Sequence, residues 1–281
     1  MGATMTQVAD EITNGRRFEF GRNWYNFLTV LDEDRLQHAV DSLKAMLRVD
    51  DLHNKTFLDI GSGSGLFSLA ARKLGARVHS FDYDPQSVAC TRALKQRYFP
   101  ESTDWLIEEG SVLDADYLRR LGQFDIVYSW GVLHHTGAMW QALENVDGNV
   151  SKNGKLFIAL YNYQPLTSKY WTHVKRLYNK YSILRPPIIF IHLLYPALPS
   201  YILKYVQGRK LPRGMSFWYD HLDWLGGYPF EVSTPKQIFD FYREKGYRLD
   251  QIKTVGDGTD AMNMCSRNCR EASRPGPASV Y

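Results

Sequence analysis

FLDIGSGSG, residues 57–65, is the stretch from which the fold of this 281-residue chain is read. Phe57 to Ile60 form the apolar run of a buried strand, and LFSLAARKL after Gly65 has the spacing of a helix. Glycines at 61, 63 and 65 join the two, allowing a tight turn and a close approach of backbone to a ligand at the carboxyl edge of a sheet. Their spacing is GxGxG, which differs from the GxGxxG of the dinucleotide fingerprint, and Asp59 stands two residues before the first of them. A helix N-terminus attracts anions, and a carboxylate placed beside it repels a diphosphate. Asp59 therefore points to a positively charged ligand in this loop.

Outward from the loop, apolar strands alternate with helical stretches. Strands are predicted at 56–60, 77–81, 105–108, 124–129 and 155–161, and helices at 65–74, 85–98, 115–121 and 138–150. Such alternation predicts an α/β fold with a doubly wound, mostly parallel sheet. An amphipathic helix over 34–48, with Leu36, Ala39, Val40, Leu43, Met46 and Leu47 on one face, precedes it. After Asn162 the alternation stops for about 70 residues rich in Tyr, Trp and Pro, too long for an ordinary connection. It resumes with a helix at 234–245 and a strand at 247–255. The expected division is an N-terminal helical lid segment (1–50), a ligand-binding core (51–162), a substrate-lid insertion (163–232), a C-terminal completion of the core (233–270) and a disordered tail (271–281).

Composition narrows the class. With 44% hydrophobic and 23% charged residues the chain is an ordinary globular sequence, neither collagen-like nor disulfide-stapled. The net charge of +4 does not demand a nucleic-acid partner. Cys90, Cys265 and Cys269 make an odd count without framework spacing and are expected as reduced thiols, the last two on the surface of a polar tail. The first residues carry acids and no apolar run, so no export or import signal is read there and a cytoplasmic location is expected. The most apolar stretch, 183–206, is broken by Pro186, Pro187, Pro196 and Pro199 and interrupted by Arg185, His192 and Lys204. It does not read as a membrane span and is kept as a substrate lid or a peripheral contact with a membrane surface.

Asp82 ends the second strand, 21 residues after Gly61, where a carboxylate can accept two hydrogen bonds from a ribose diol. Asp84 before Pro85 reads as a helix cap. Together LDIGSGSG (58–65), SFDYDP (80–85), EEGSVLD (108–114) and FDIVYSWGVLHH (124–135) resemble class I S-adenosylmethionine (SAM)-dependent methyltransferases, with some similarity to quinone and other small-molecule methyltransferases. The resemblance covers about 55–162 well and 233–258 more loosely. It implies a Rossmann-like sheet with an antiparallel last strand and SAM as cofactor, whose ammonium and sulfonium suit the charge of Asp59. It assigns Asp59, Gly61, Ser62, Gly63 and Gly65 to the amino-acid part of SAM, Asp82 to the ribose, Ser111 and Val112 to the adenine, and Trp130 with Gly131, Val132 and His135 to the stretch lining the active site. Many members carry Gly-Asp where this chain has Gly110-Ser111.

A proton-bearing methyl acceptor is helped by a base, most often histidine. His134 and His135 follow the fourth strand and are candidates for that role, with loop shaping as the alternative. In RGMSFWYDHLDWLGGYPFE (213–231), His221 is a third catalytic candidate, and Tyr219, Asp220, Asp223 and Trp224 are candidate substrate contacts. Trp24 joins them as part of an N-terminal lid over the site. No metal is expected, because Asp220, His221 and Asp223 are too close in sequence to converge as ligands. The expected activity is methyl transfer to oxygen or carbon of a small aromatic, lipid-like or natural-product acceptor. The alternatives are RNA or protein methylation through the basic insertion, and a non-catalytic SAM- or nucleotide-binding scaffold. A nucleic-acid partner is not favoured, and the oligomeric state is left open.

Overall fold

The computed structural model describes residues 5–29, 31–194, 217–254 and 261–270. Strands β1 (Thr56–Ile60), β2 (Arg77–Asp82), β3 (Trp105–Glu109), β4 (Phe124–Trp130), β5 (Val150–Tyr161), β6 (Tyr247–Lys253) and β7 (Ala261–Asn268) form one sheet in the order β3-β2-β1-β4-β5-β7-β6. β1 to β5 are parallel, whereas β7 runs antiparallel to both neighbours. The sequence order reverses beside β1, which has β2 on one side and β4 on the other. Such a switch point opens a crevice at the carboxyl ends of the strands.

Period-2 alternation sends the strand side chains to two cores. Phe57, Ile126, Tyr128 and Phe157 pack on one face, beneath α3 (Glu33–Leu47) and α4 (Leu66–Lys73). Leu58, Ile60, Val127, Leu156 and Ile158 pack on the other, beneath α6 (Ala115–Leu121), α7 (Met139–Asp147) and the helix Pro235–Glu244. Burial on both faces explains why these strands read as continuous apolar runs. Each fully buried aliphatic or aromatic side chain contributes about 1.5–3 kcal/mol. Helix α5 (Pro85–Tyr98) starts as its sequence suggests, with Asp84 Oδ1 accepting from Gln86 N and proline in the first turn.

Three expectations are corrected. β5 begins at Val150 instead of 155, because the chain stays extended through SKNG; Asn153 takes a left-handed φ of 61° and the β4–β5 register shifts there. Residues 261–268 are no surface tail but an interior strand, with Met262, Met264, Cys265 and Ser266 buried and only Cys269 exposed. Its polar residues hide it from a periodicity reading; Asn268, for instance, is buried and donates to the carbonyls of Val150 and Ser151. Pro186 and Pro187 do not break a helix: they open α9 (Arg185–His192), where an amide hydrogen would have no helical partner.

The N-terminal segment supplies α1 (Met5–Thr13) and α2 (Phe20–Leu28), and the insertion supplies α8 (Thr167–Lys180), α9 and α10 (Phe217–Gly226). A separate apolar cluster of Trp171, Val174, Tyr178, Leu225 and Phe230 ties α8 to α10. Residues 195–206 of the apolar stretch and the tail 271–281 lie outside the described residues. Among the described residues no helix is long and apolar enough to cross a membrane.

Candidate functional site

The crevice at the switch point is a cavity of ≈ 570 Å³, within the range of small-molecule sites. Its floor is the glycine loop. Gly61 and Gly63 both have positive φ, 74° and 55°. A Cβ on Gly61 would lie 2.5 Å from Val132, and one on Gly63 would lie 3.0 Å from the Trp24 ring, so the loop is closed to side chains. Ser62, Gly61 and Gly63 line the cavity, while Gly65 heads α4 and its Cβ position faces Thr91 instead.

Asp59 lines the cavity from the end of β1, but one of its oxygens is committed inward. Ser68 Oγ donates to Asp59 Oδ2 at 2.5 Å, Ser68 and Ser80 hydroxyls meet at 2.7 Å, and Trp105 Nε1 donates to Ser80 at 2.9 Å. This buried relay ties β1, α4, β2 and β3 together. Burial pushes the Asp59 carboxyl up to about 7, against the lowering effect of the Ser68 bond. Asp82 accepts from Gly63 N at 2.8 Å and from Asp84 N at 2.9 Å, so the carboxylate braces the glycine loop as well as lining the cavity. Burial raises it to about 6 while those two amide bonds pull the other way.

Asp84 does more than cap α5. Its second oxygen accepts from Gly21 N at 3.0 Å and so anchors α2 over the site. The lid is held elsewhere by Phe18 N donating to the Tyr228 carbonyl at 3.2 Å, and by Glu11, which accepts from Arg17 Nε at 2.9 Å and from the Tyr83 hydroxyl at 2.8 Å. Arg17 lies over the Tyr83 ring, 4.4 Å from its centroid. Glu11, Arg17, Phe18, Phe20, Trp24 and Phe27 all face the cavity. Of these, Trp24 was read from sequence as a lid residue; Glu11, Arg17 and Tyr83 carried no signal there, because their pairing spans separate segments.

The remaining wall comes from Ser111 and Val112 after β3 and from Trp130, Gly131, Val132, His135 and Thr136 after β4. Trp130 stacks on Phe67 at 5.0 Å. The two histidines part company. His135 lines the cavity, and its Nδ1 lies 2.6 Å from the Pro229 carbonyl, which can only accept; Nδ1 therefore carries the proton and Nε2 the lone pair. Burial holds His135 down at about 3, so it is neutral at physiological pH. His134 is fully buried outside the cavity wall, its ring 4.0 Å from that of Tyr161 and its carbonyl accepting from Glu231 N.

Among the described residues of the 213–231 stretch, His221 and Trp224 do not line this cavity, whereas the carbonyls of Tyr228 and Pro229 hold its wall residues Phe18 and His135. His221 is buried in α10 away from the wall, and Trp224 packs on Tyr161 and Trp171, with its carbonyl accepting from Lys175 Nζ. Apolar packing of α10 against α8 uses Trp224 in this way. The side chains of Tyr219, Asp220 and Asp223 lie outside the described residues. Among the described residues no group of three metal-binding side chains occurs.

The electrostatic balance of the wall is one-sided. Among the described residues, Glu11, Asp59, Asp82, Asp84 and Asp114 face Arg17 as the single Lys or Arg on the wall, with His135 neutral. Such a cavity attracts a cation and resists a polyphosphate. Its glycine floor, carboxylates and aromatic lid fit SAM, a ligand with two cationic centres and a planar base.

Residues 58–156 match the family described as Methyltransferase domain. A stretch of 48 residues is 50% identical to the ribosomal protein L11 methyltransferase of Tolumonas auensis, covering 17% of this chain and 16% of that protein. A stretch of 58 residues is 47% identical to the same enzyme of Legionella pneumophila, 20% of each. The chain thus spans a fifth or less of the length of the curated relatives it matches. Among solved structures, magnesium protoporphyrin IX methyltransferase of Synechocystis with bound S-adenosylhomocysteine (SAH) superposes over 84% of both chains at 15% identity and a TM-score of 0.52. A chain of the Haloferax volcanii complex of the Trm112 methyltransferase activator with a methyltransferase superposes over 90% of this chain and 99% of that one, at 14% identity and a TM-score of 0.53. At these identities the likeness is one of fold, a mixed seven-stranded sheet flanked by helices.

Proposed function

We propose that this chain, whose residues 58–156 form a methyltransferase domain, transfers a methyl group from SAM to an oxygen or carbon of a small aromatic or lipid-like acceptor. The observation that carries the reading is the cavity itself: among the described residues, five carboxyl groups and one guanidinium on its wall, over a glycine floor that excludes side chains. When bound, SAM supplies an electrophilic methyl group on a sulfonium leaving group. Gly61, Ser62, Gly63 and Asp59 would hold its amino-acid part, Asp82 its ribose and Ser111 and Val112 its base.

The chain's own residues then have two tasks. Phe18, Phe20, Trp24 and Trp130 exclude water and orient a flat or amphiphilic acceptor. His135, fixed by Pro229 as an Nε2 acceptor, receives a hydrogen bond from the acceptor and turns its nucleophilic atom toward the methyl group. A histidine held near 3 is a poor general base, so its contribution is orientation: as the bond from methyl to acceptor forms and the bond from methyl to sulfur breaks, the electron pair leaves with SAH, and the proton of the methylated, more acidic acceptor passes to solvent. The reaction is set in a reducing, cytoplasmic compartment, where the three cysteines stay free thiols.

Thermal melts test the cofactor: SAM and SAH raise Tm and NAD does not. Incubation with methyl-labelled SAM and fractionated cell extract tests the acceptor. Label in a small-molecule or lipid fraction supports the reading, and label confined to protein or RNA overturns it.

A further inference from the structure

The outer face of the insertion is unlike the rest of the surface. Ile183 is 82% exposed, Phe190 62%, Ile191 58% and Leu194 52%, and the α8 side adds exposed Leu166 and Leu177. Helices α8 and α9 pack side by side, with the Tyr170 hydroxyl 2.7 Å from His192 Nε2 and Arg185 Nε donating to the Tyr178 carbonyl. Their apolar residues are therefore left outward after the two helices have satisfied each other. Between Asp147 and Asp220 the sequence has no Asp or Glu, against eleven Lys and Arg. The rest of the chain is consequently acidic, since the total is only +4. Lys169, Arg176 and Lys180 recur along the exposed stripe of α8, among exposed Tyr170 and Tyr181.

We infer that the outer face of α8 and α9 docks on an anionic lipid bilayer, with Ile183, Phe190, Ile191 and Leu194 entering the interface and Lys169, Arg176 and Lys180 meeting the headgroups. Aliphatic side chains gain free energy by leaving water for the acyl boundary, basic ones by approaching anionic lipid, and tyrosines sit at the level between. The carboxylate-free charge of this face excludes the other obvious occupant. A two-fold dimer built on it would set identical cationic stripes against each other. The exposed rings of Tyr170, Tyr181 and Phe190 can stack on bases, but Ile183, Ile191 and Leu194 offer single-stranded RNA no flat surface and stay in water there. The same α8 that presents this face packs Tyr178 6.4 Å from Phe18 on the cavity wall, so docking sets the lid of the site beside the membrane.

The inference is independent of methyl transfer, because it is read by vesicle binding, whereas the cofactor reading is tested by SAH-dependent melting. The full chain is sedimented with vesicles of phosphatidylcholine alone or with one-third phosphatidylglycerol. Binding is expected on the anionic vesicles, weakened by salt. Replacing Lys169, Arg176 and Lys180 together by Ala should lower partitioning on the order of 100-fold, at about fivefold per cation. Ile183→Ser with Ile191→Ser and Leu194→Ser should abolish binding, while the SAH-induced rise in Tm, unchanged in both sets, shows that the fold is intact. Three results would overturn the inference: equal or absent binding on both vesicle types, tighter binding to a single-stranded RNA at matched salt, or a dimer in solution that the serine variants convert to monomer.

Discussion

The two walls of the cavity are built in different ways. The floor is drawn from consecutive residues: β1, the glycine loop and α4 follow one another in the chain, and Asp82 closes onto Gly63 from the next strand. The lid and acceptor side is assembled from distant pieces, with Asp84 holding Gly21 across 63 residues and Pro229 holding His135 across 94. A local wall tolerates no substitution of its backbone geometry, whereas an assembled wall fails when any one of its ties is cut. The contrast orders the expected outcomes by size.

The largest effect belongs to the floor. Asp82→Ala removes the brace on Gly63 and the expected ribose partner together, so SAH affinity measured by calorimetry should fall about 100-fold or more, each charged hydrogen bond being worth about 1.5–3 kcal/mol. An unchanged Kd would reject the role of Asp82. Trp24→Ala, on the assembled wall, should cost about tenfold in SAH affinity, the scale of one aromatic contact.

pH sharpens the comparison. Asp59 and Asp82, raised to about 7 and about 6, ionise on the way to neutrality, so affinity for the cationic SAM should rise by about tenfold from pH 5 to 8, with proton release on binding. Stability of the unliganded protein runs in the opposite sense. The folded state keeps protons that the unfolded chain gives up near pH 4, so this contribution fades as pH rises from about 4 to about 7. Thermal melts with and without SAM across that range read both trends. In His135→Gln the acid limb of activity should persist, because the histidine titrates near 3; its loss in that variant would return the limb to His135.

The smallest effect concerns thiols. Burial raises Cys90 and Cys265 to about 11, while Cys269 is exposed. A thiol reagent at neutral pH should modify Cys269 rapidly and the other two only on unfolding. Fast labelling of Cys265 would show that β7 is not an interior strand.

Much of this molecule was legible in advance, and the exceptions share a cause. Helices at 85–98 and 115–121 and strand 56–60 match the structure residue for residue, because Asp84 with Pro85 and Asp114 mark the helix starts and Gly61 ends the strand within the chain. β7 was missed since Asn268 finds its partners on β5 and Arg267 its carboxylate, Asp250, on β6, which no window of sequence contains. His134 and His135 are neighbours with the same chemistry, and only the carbonyl of Pro229 and the ring of Tyr161 separate their positions. The 213–231 cluster looked like a site because aromatic and charged residues are adjacent there, yet Trp224 serves the packing of α10 on α8 and His221 is buried off the cavity wall.

By itself the sequence determined the alternating sheet and the glycine floor, since strand burial and φ freedom are properties of short stretches. The tertiary structure alone decided which histidine reaches the cavity, how the N-terminal helices close it and which face of the insertion is left to the outside, because each depends on contacts between residues far apart in the chain.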